Sequence, residues 1–333
     1  MLTYAYNPGG NVLRALSLVA ILALGCAAHA HAQSDYPNKP MRLVTPFSAG
    51  GAIDVLTRVI AERLQAKLGQ PVVVEAIPGA NTIIGTQAML KGAPDGHTFM
   101  ITTMSTTVNN PVMYAKLPYD PVRDLAPVTQ LSYGSVLLVG PANAPYHDVR
   151  GFIEWAKAQN RPINYGSWGV GSVGHLYGQV IQRDYGVRLN HIPYKGDVLA
   201  IVDVQNGNLD VTFSSPTSAK PRIAANAIKP LGMTGPTRSV AMPELATFAE
   251  QGIKGLELAI WVGVYAPGGT PKPLRERLQR ELRAIINEPD VTRRMHEQGQ
   301  VPIGNTPDEF IANYQADAPK WAELIRASGA KAE

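Results

Sequence analysis

A glycine-led helix start offers the clearest chemistry in this sequence, and it reads Pro46-Phe47-Ser48-Ala49-Gly50-Gly51-Ala52-Ile53-Asp54. The first N–H groups of a helix are unpaired and carry partial positive charge, and glycines let a ligand approach them without interference from Cβ atoms. The pattern therefore predicts a binding site for an anion such as a carboxylate or a phosphate. Asp54 lies three residues after Gly51, the spacing of a capping box, so we interpret this acid as a structural cap.

A second glycine-rich segment, residues 164–175, also runs from a predicted strand into a helix start. Within it, Gly169-Val170-Gly171-Ser172-Val173-Gly174 matches the dinucleotide fingerprint, but Asn190 and His191 stand where an acid is required, about twenty residues further on. A nucleophile elbow around Ser172 would need glycine at position 170, where valine stands. We therefore expect neither a nucleotide cofactor nor a serine hydrolase.

Side chains for metal binding or acid–base catalysis are equally sparse. The histidines that follow the first 32 residues stand singly, without the short spacing of metal ligands, at His97, His147, His175, His191 and His296. We expect each of them to be a surface or helix-start residue, and we predict no metal site. The polar loops that remain are rich in Gly, Ser, Thr and Asn, which favours a binding cleft over a catalytic one.

The first 32 residues read as a secretory leader. Arg14 precedes an apolar run at residues 15–27, and small residues around Ala30 and Ala32 suit cleavage, which we place after Ala32. The apolar run is shorter than the roughly 20 residues that a membrane-spanning helix needs. The single cysteine, Cys26, lies in this leader behind a poor lipobox, so we expect no lipid anchor. The sequence thus predicts export.

Composition and patterning indicate how these loops are positioned. The 333 residues carry a formal net charge of +4, dispersed without long runs of one sign, so we expect no nucleic-acid partner. A chain of this length favours two domains. Short β-rich runs alternate with helical patterns, which predicts an α/β fold with mixed, largely parallel sheets flanked by helices. Ligands of such sheets bind beyond the strand ends, so loops 47–54, 79–85, 103–109 and 166–175 face one crevice or are simply tight turns.

At these residues the sequence resembles the substrate-binding receptors of tripartite tricarboxylate transporters, the Bug family, from Tyr36 to the end. The first loop above carries part of this likeness. The other motifs are Ala93-Pro94-Asp95-Gly96-His97-Thr98, Leu117-Pro118-Tyr119-Asp120-Pro121, Asn164-Tyr165-Gly166-Ser167, Ile192-Pro193-Tyr194-Lys195-Gly196 and Ala266-Pro267-Gly268-Gly269-Thr270-Pro271.

The resemblance implies a periplasmic protein with the two-lobed Venus-flytrap fold of type II periplasmic binding proteins. We expect one discontinuous lobe from residues 33–135 and 261–333, and a second lobe from residues 136–260, with the ligand cleft between them. The implied function is capture of a small organic carboxylate, aliphatic or aromatic, with one or two acid groups, and its delivery to integral membrane transporter subunits. The resemblance implies no catalysis, and we expect a monomer.

The resemblance also implies that backbone N–H groups and small hydroxyls hold the ligand. With the glycine-led helix start, it gives a set of expected ligand contacts: Phe47, Ser48, Gly50, Gly51, Ala52, Asp54, Ser105, Thr106, Asn109, Ser167, Trp168, Gly171, Ser172, His175, Phe213, Ser214 and Trp261. Asn81 and Thr82 stand where the family often has two glycines, so the second loop contacts the ligand differently or not at all. Trp168 replaces a small residue; it either stacks on an aromatic acid or packs under its loop, and we favour packing.

Two alternatives remain open at this point. A receptor that presents its closed lobes to a signalling kinase would use the same cleft, and the sequence does not separate it from a transport receptor. An exported hydrolase based on His175 or Asp210 is disfavoured because the sequence has no nucleophile motif and no paired histidine and acid.

Overall fold

A computed structural model describes residues 36–329, so the predicted leader and its cleavage site lie outside the described residues. In the first half, the elements are β1 (Met41–Thr45), α1 (Ala52–Leu68), β2 (Val72–Ala76), α2 (Ile83–Leu90), β3 (Thr98–Thr103), a π-helix (Ser105–Asn109), α3 (Asn110–Met113), β4 (Leu125–Gly134), β5 (Leu137–Pro141) and α4 (Val149–Ala158). The second half contains β6 (Ile163–Ser167), α5 (Val173–Tyr185), β7 (Leu189–Pro193), α6 (Asp197–Gln205), β8 (Val211–Ser214), α7 (Pro216–Ala224), β9 (Ile228–Met233), β10 (Ile260–Pro267), α8 (Lys272–Ile286), α9 (Pro289–Glu297), β11 (Gln300–Pro302) and α10 (Pro307–Ser328).

Two mixed sheets organise these elements into two lobes. The first sheet has the strand order β11-β4-β10-β3-β1-β2, and the second has the order β7-β6-β8-β5-β9. The predicted α/β fold with mixed sheets and flanking helices is confirmed. Parallel pairing is less extensive than expected, because β4, β10 and β11 pair antiparallel in the first sheet, as β5 does with β8 and β9 in the second.

The chain passes between the sheets at two places. Residues 135–136 connect β4 to β5, and residues 234–259 lead from β9 back to β10. Because β10 then pairs with both β3 and β4, the last part of the chain completes the first sheet. The C-terminal helix α10 also reaches the second lobe, where Trp321 lies with its ring centroid 6.0 Å from that of Tyr177 on α5.

Burial explains why the flanking helices form where they do. On the first sheet, Leu56, Ile60 and Leu64 of α1 pack with β1 residues in one apolar cluster, at the helical spacing that the sequence shows. On the second sheet, Ala200, Ile201 and Val204 of α6 pack against β5 in the same manner. The parallel strand β1 therefore ends in a loop that its own helix holds in place.

Thr270-Pro271 and Thr306-Pro307 each have the sequence of an N-cap residue followed by proline, and Glu309 would complete a capping box with Thr306. The capping box at Thr306 and Glu309 is present, and it starts α10. The corresponding start at Thr270-Pro271 is different, since Pro271 occupies the cap position of α8 and no side chain caps that helix. Among residues 36–329, no helix is long and apolar enough to cross a membrane.

Candidate functional site

The start of α1 leaves its first N–H groups without a side-chain cap. Gly51 is the N-cap residue in an extended conformation (φ −73°, ψ 164°), and it contributes no side-chain hydrogen bond. Gly50 before it has φ +81°, a left-handed conformation that favours glycine. An uncapped helix N-terminus attracts negative charge because its N–H groups and the helix dipole point the same way. This loop therefore retains the anion-binding capacity that its sequence predicts.

Asp54 does not form the expected capping box with Gly51. Its buried carboxylate accepts a hydrogen bond from the Gly50 N–H at 2.9 Å and another from the Arg58 Nε at 2.9 Å. The side chain is thus held inside the loop by its own neighbours, so it orients the Gly50 peptide. As a full negative charge close to the helix start, it is a supporting residue for the loop and an unfavourable partner for a carboxylate.

The start of α5 is built differently, because a side chain caps one of its N–H groups. Ser172 is the N-cap residue, and its Oγ accepts a hydrogen bond from the His175 N–H at 3.3 Å. The same hydroxyl donates to Ser167 Oγ at 3.2 Å. The Gly171 N–H donates to His175 Nδ1 at 3.1 Å. This second loop therefore presents fewer unpaired donors than the first.

A pair of stacked histidines lies below this loop. Since His191 lies on β7 and His97 is buried, the expectation that each histidine is a surface or helix-start residue is corrected. The rings of His175 and His191 have centroids 4.2 Å apart and an interplanar angle of 19°. His191 Nε2 lies 2.7 Å from Ser167 Oγ. Burial lowers the pKa of His175 to about 4. Burial, reinforced by the neighbouring His175, lowers the pKa of His191 to about 3.

The two lobes touch each other at the predicted ligand loops. Asn109 Nδ2 donates to the Gly171 carbonyl oxygen at 2.9 Å, and Ser48 Oγ donates to the Lys195 carbonyl oxygen at 2.9 Å. Gly171 has φ +79°, and a Cβ atom there would lie only 2.8 Å from Asn81 Nδ2. Glycine at position 171 thus permits both the backbone conformation and the close approach of the lobes.

The segment at residues 80–82 is held in a left-handed conformation. Ala80, Asn81 and Thr82 have φ values of 45°, 45° and 77°. Such non-glycine residues cost about 1–3 kcal/mol each and persist where surrounding contacts over-determine them. Here Asn81 Nδ2 donates to Asn110 Oδ1 at 2.7 Å, and Thr82 Oγ1 lies 2.8 Å from Thr106 Oγ1. The loop at residues 79–85 is therefore supported by buried polar contacts within the first lobe.

Several predicted contacts have clear structural duties. Trp168 is half-buried and packs against the apolar core, and a Cβ atom on Gly174 would lie 3.0 Å from its Cζ3 atom. This arrangement matches the packing alternative. Phe213 and Trp261 are also core residues, both essentially unexposed, and Ser214 Oγ donates to Asp197 Oδ2 at 3.1 Å. Trp261 Nε1 has no hydrogen-bond partner among the described residues, and a ligand-facing role for these three side chains stays a prediction.

The remaining predicted residues gather around the contact between the lobes. The first lobe contributes the loop and first residue of α1, namely Phe47, Ser48, Gly50, Gly51 and Ala52, and the π-helix residues Ser105, Thr106 and Asn109. The second lobe contributes Ser167, Gly171, Ser172 and His175 at the strand-to-helix turn between β6 and α5. Sequence reasoning missed the part played by Asn81, Lys195 and His191. The signal for His191 was its position on β7, which follows α5 and lies beside β6.

The family model for the tripartite tricarboxylate transporter family receptor matches residues 56–330. Three solved structures are similar to this chain over almost their whole length. One is the periplasmic binding protein BugD, with a TM-score of 0.82, 30% identity and coverage of 90% of this chain and 100% of that chain. A second is Rpa4515 from R. palustris with adipate, with a TM-score of 0.84, 31% identity and coverage of 89% and 99%.

The third is MatC (Rpa3494) from Rhodopseudomonas palustris with bound malate, with a TM-score of 0.80, 26% identity and coverage of 87% of this chain and 100% of that chain. The model match, these similarities and the two-lobed fold agree with the resemblance seen in the sequence motifs. The chain belongs to the tripartite tricarboxylate transporter receptor family, whose members are solute-binding receptors.

Proposed function

We propose that this protein is a periplasmic receptor that captures a small organic carboxylate between its lobes and delivers it to a tripartite tricarboxylate-type membrane transporter. The observation that carries the proposal is the uncapped start of α1 at Gly51, in a loop whose Ser48 bonds to the second lobe. An anion bound at that start would lie where the two lobes meet. The adipate and malate of the similar structures support a carboxylate as the cargo.

The two lobes would contribute different groups to the proposed ligand site. Backbone N–H groups of Ala52 and Ile53 would hold the carboxylate, since the Gly51 N–H already donates to the Ser48 carbonyl oxygen at 3.3 Å. The turn at Gly171, Ser172 and His175 would close over the ligand from the second lobe. Closure removes water, and each hydrogen bond to the ligand charge becomes stronger in the less polar surroundings.

The proposal includes the lobe boundaries, the compartment and the partners. The lobes comprise residues 33–135 with 261–333, and residues 136–260, and the connection at residues 135–136 would bend when they close. The protein would be a monomer that is exported, cleaved after Ala32 and recognised by integral membrane subunits when it is closed. It would perform no catalysis on its cargo.

A thermal-shift screen tests this function directly. The mature protein, starting at residue 33, is heated with aliphatic and aromatic mono- and dicarboxylates, and with matched amides as uncharged controls. A ligand at 100 times its dissociation constant stabilises the folded state by about 2.7 kcal/mol, which raises the melting temperature measurably. A shift for acids and none for their amides is the expected result. Equal shifts for acids and amides, or no shift with any acid, would contradict the proposal.

A further inference from the structure

Asn109 is a polar side chain at the contact between the lobes whose acceptor has no hydrogen-bond partner in the described part of the chain. The residue is completely buried, and its Oδ1 atom has no hydrogen-bond partner among residues 36–329. It ends the π-helix, an irregular turn that is often found at functional sites. Its side chain belongs to the loop that meets Gly171 of the second lobe.

The orientation of the Asn109 amide follows from its partner. Nδ2 lies 2.9 Å from the carbonyl oxygen of Gly171, and a carbonyl oxygen only accepts hydrogen bonds. The Nδ2 group must therefore face Gly171, because a flipped amide would place two acceptors against each other. Oδ1 is then left as an acceptor without a donor in a buried place, which is unfavourable unless a bound group supplies one.

A carboxylate cannot supply that donor. An ionised carboxylate only accepts hydrogen bonds, so it suits the N–H groups of the α1 start and not Asn109 Oδ1. A ligand that satisfies both needs an acid group and a separate donor, either O–H or N–H. An ammonium group would be a buried cation, and the hydrogen-bond partners of Asn109, Gly171 and Ser105, carry no charge to balance it. A neutral hydroxyl group fits without that penalty.

We propose that the cargo is a hydroxycarboxylate whose hydroxyl group donates to Asn109 Oδ1, which makes Asn109 a specificity-determining residue. This inference rests on the proposed carboxylate receptor function. It gives the Asn109 side chain two roles. Its Nδ2 group holds the lobes together, and its Oδ1 atom selects the ligand. Removing the hydroxyl from the ligand would leave the amide oxygen unpaired, so the simple acid would bind more weakly.

Matched pairs of acids test the inference by calorimetric titration of the wild-type protein. The pairs are malate and succinate, 2-hydroxyglutarate and glutarate, lactate and propionate, and mandelate and phenylacetate. In the pair whose length fits the site, the hydroxy acid is expected to bind about tenfold more tightly. Equal affinities within every pair that binds would overturn the inference, because an ordered water would then satisfy Oδ1. Tighter binding of aspartate than of malate would also overturn it, in favour of an ammonium donor.

Two variants separate ligand selection from lobe closure. Asn109→Ala removes the acceptor and one bond between the lobes, and the preference for the hydroxy acid should fall to about one. Ser48→Ala is the matched control, since it removes the hydrogen bond to the Lys195 carbonyl oxygen and leaves Asn109 in place; it should weaken both acids of a pair equally and keep their ratio. A preference that survives in Asn109→Ala would overturn the inference. If no acid binds in any pair, the receptor function itself fails, whereas equal binding within pairs rejects the hydroxyl alone.

Discussion

The two glycine-led helix starts look alike in sequence but differ in how their N–H groups are satisfied. At the start of α1, Gly51 provides no side-chain cap, and the nearby Asp54 is directed to Gly50 and Arg58. At the start of α5, Ser172 caps the helix and His175 accepts from the Gly171 N–H. The first start keeps donors available for an anion, while the second uses its donors to stiffen its own turn.

A glycine-rich turn can therefore serve binding in two ways. In the first lobe, glycine exposes backbone donors to a ligand. In the second lobe, Gly171 lets the turn approach Asn109 and Asn81, and the stacked histidines hold it rigid from below. A rigid turn loses little conformational freedom when the lobes close, which favours tight binding. The start of α1 thus serves to hold the ligand, and the start of α5 serves to hold the lobes together.

Lowering the pH should reduce the free energy of unfolding through the histidine pair at the start of α5. We expect this change to be larger than those predicted below. Unfolded histidines have a pKa near 6.5, whereas His175 stays neutral in the folded protein down to a pKa of about 4. Below about pH 6.5 the unfolded state therefore binds more protons, and the free energy of unfolding falls as the pH falls. The decrease approaches about 1.4 kcal/mol per pH unit for His175 and levels off below its folded pKa. His191 acts in the same direction.

Urea denaturation between pH 7.5 and pH 4 measures this slope. His175→Gln should flatten it, because glutamine does not titrate. His147→Gln is the matched control, since His147 is exposed on the surface, and it should keep the wild-type slope. Identical slopes in wild type and His175→Gln would show that the histidine pair does not stabilise the turn as a neutral stack.

Gly171→Ala should break the contact between the lobes. Its Cβ atom would meet Asn81 Nδ2 at 2.8 Å and Met113 Sδ at 2.9 Å, so the lobes could not close fully. Overpacking of this kind costs about 1–3 kcal/mol, which lowers the affinity for a carboxylate on the order of 10- to 100-fold. Calorimetric titration with the best acid of the thermal-shift screen measures the loss.

Gly169→Ala is the control for backbone strain at this turn. Gly169 also has a positive φ, +127°, but a Cβ atom there would have only the Tyr194 carbonyl oxygen nearby, at 3.9 Å. Both alanine variants should therefore lose some stability, while only Gly171→Ala should lose most of its affinity. Equal affinity losses in the two variants would assign the effect to strain and not to the contact between the lobes.

Gly51→Asp should convert the first helix start into one that resembles the second. The new carboxylate would cap α1 and occupy the N–H groups that are proposed to bind the ligand, and its charge would repel an acid. We expect the affinity for carboxylates to fall about tenfold or more, with a stability change below about 1 kcal/mol. Gly51→Asn caps without charge and should weaken binding less. Unchanged titration curves for both variants would remove this helix start from the site.

Ser172→Ala should have the smallest effect. Loss of an N-cap side chain costs about 1 kcal/mol, so the free energy of unfolding measured in urea should fall by that amount. Ser48 is the comparison in the first lobe, because it caps no helix and its hydroxyl reaches only Lys195 of the other lobe. Ser48→Ala should change stability by less than about 0.5 kcal/mol. Equal losses in the two variants would mean that the cap at Ser172 contributes nothing of its own.

Local patterns predicted most of the fold. The apolar residues Leu56, Ile60 and Leu64, four positions apart, predicted α1. Thr306 followed three residues later by Glu309 predicted the capping box that starts α10. Both depend on residues a few positions apart, where helix geometry fixes the distance between side chains. The direction of strand pairing was less predictable, since β10 pairs antiparallel with strands more than 120 residues earlier in the chain.

For the site, the sequence determined which loops carry uncapped or small-residue turns, and hence that an anion is the suitable partner. Only the tertiary structure decided how the loops are used. The turn at Gly171 bonds to Asn109, His175 stacks on His191, and Asp54 turns away from the helix cap toward Gly50. The first two contacts depend on strand register and on the docking of one lobe against the other, which arise from packing over the whole chain and leave no local pattern.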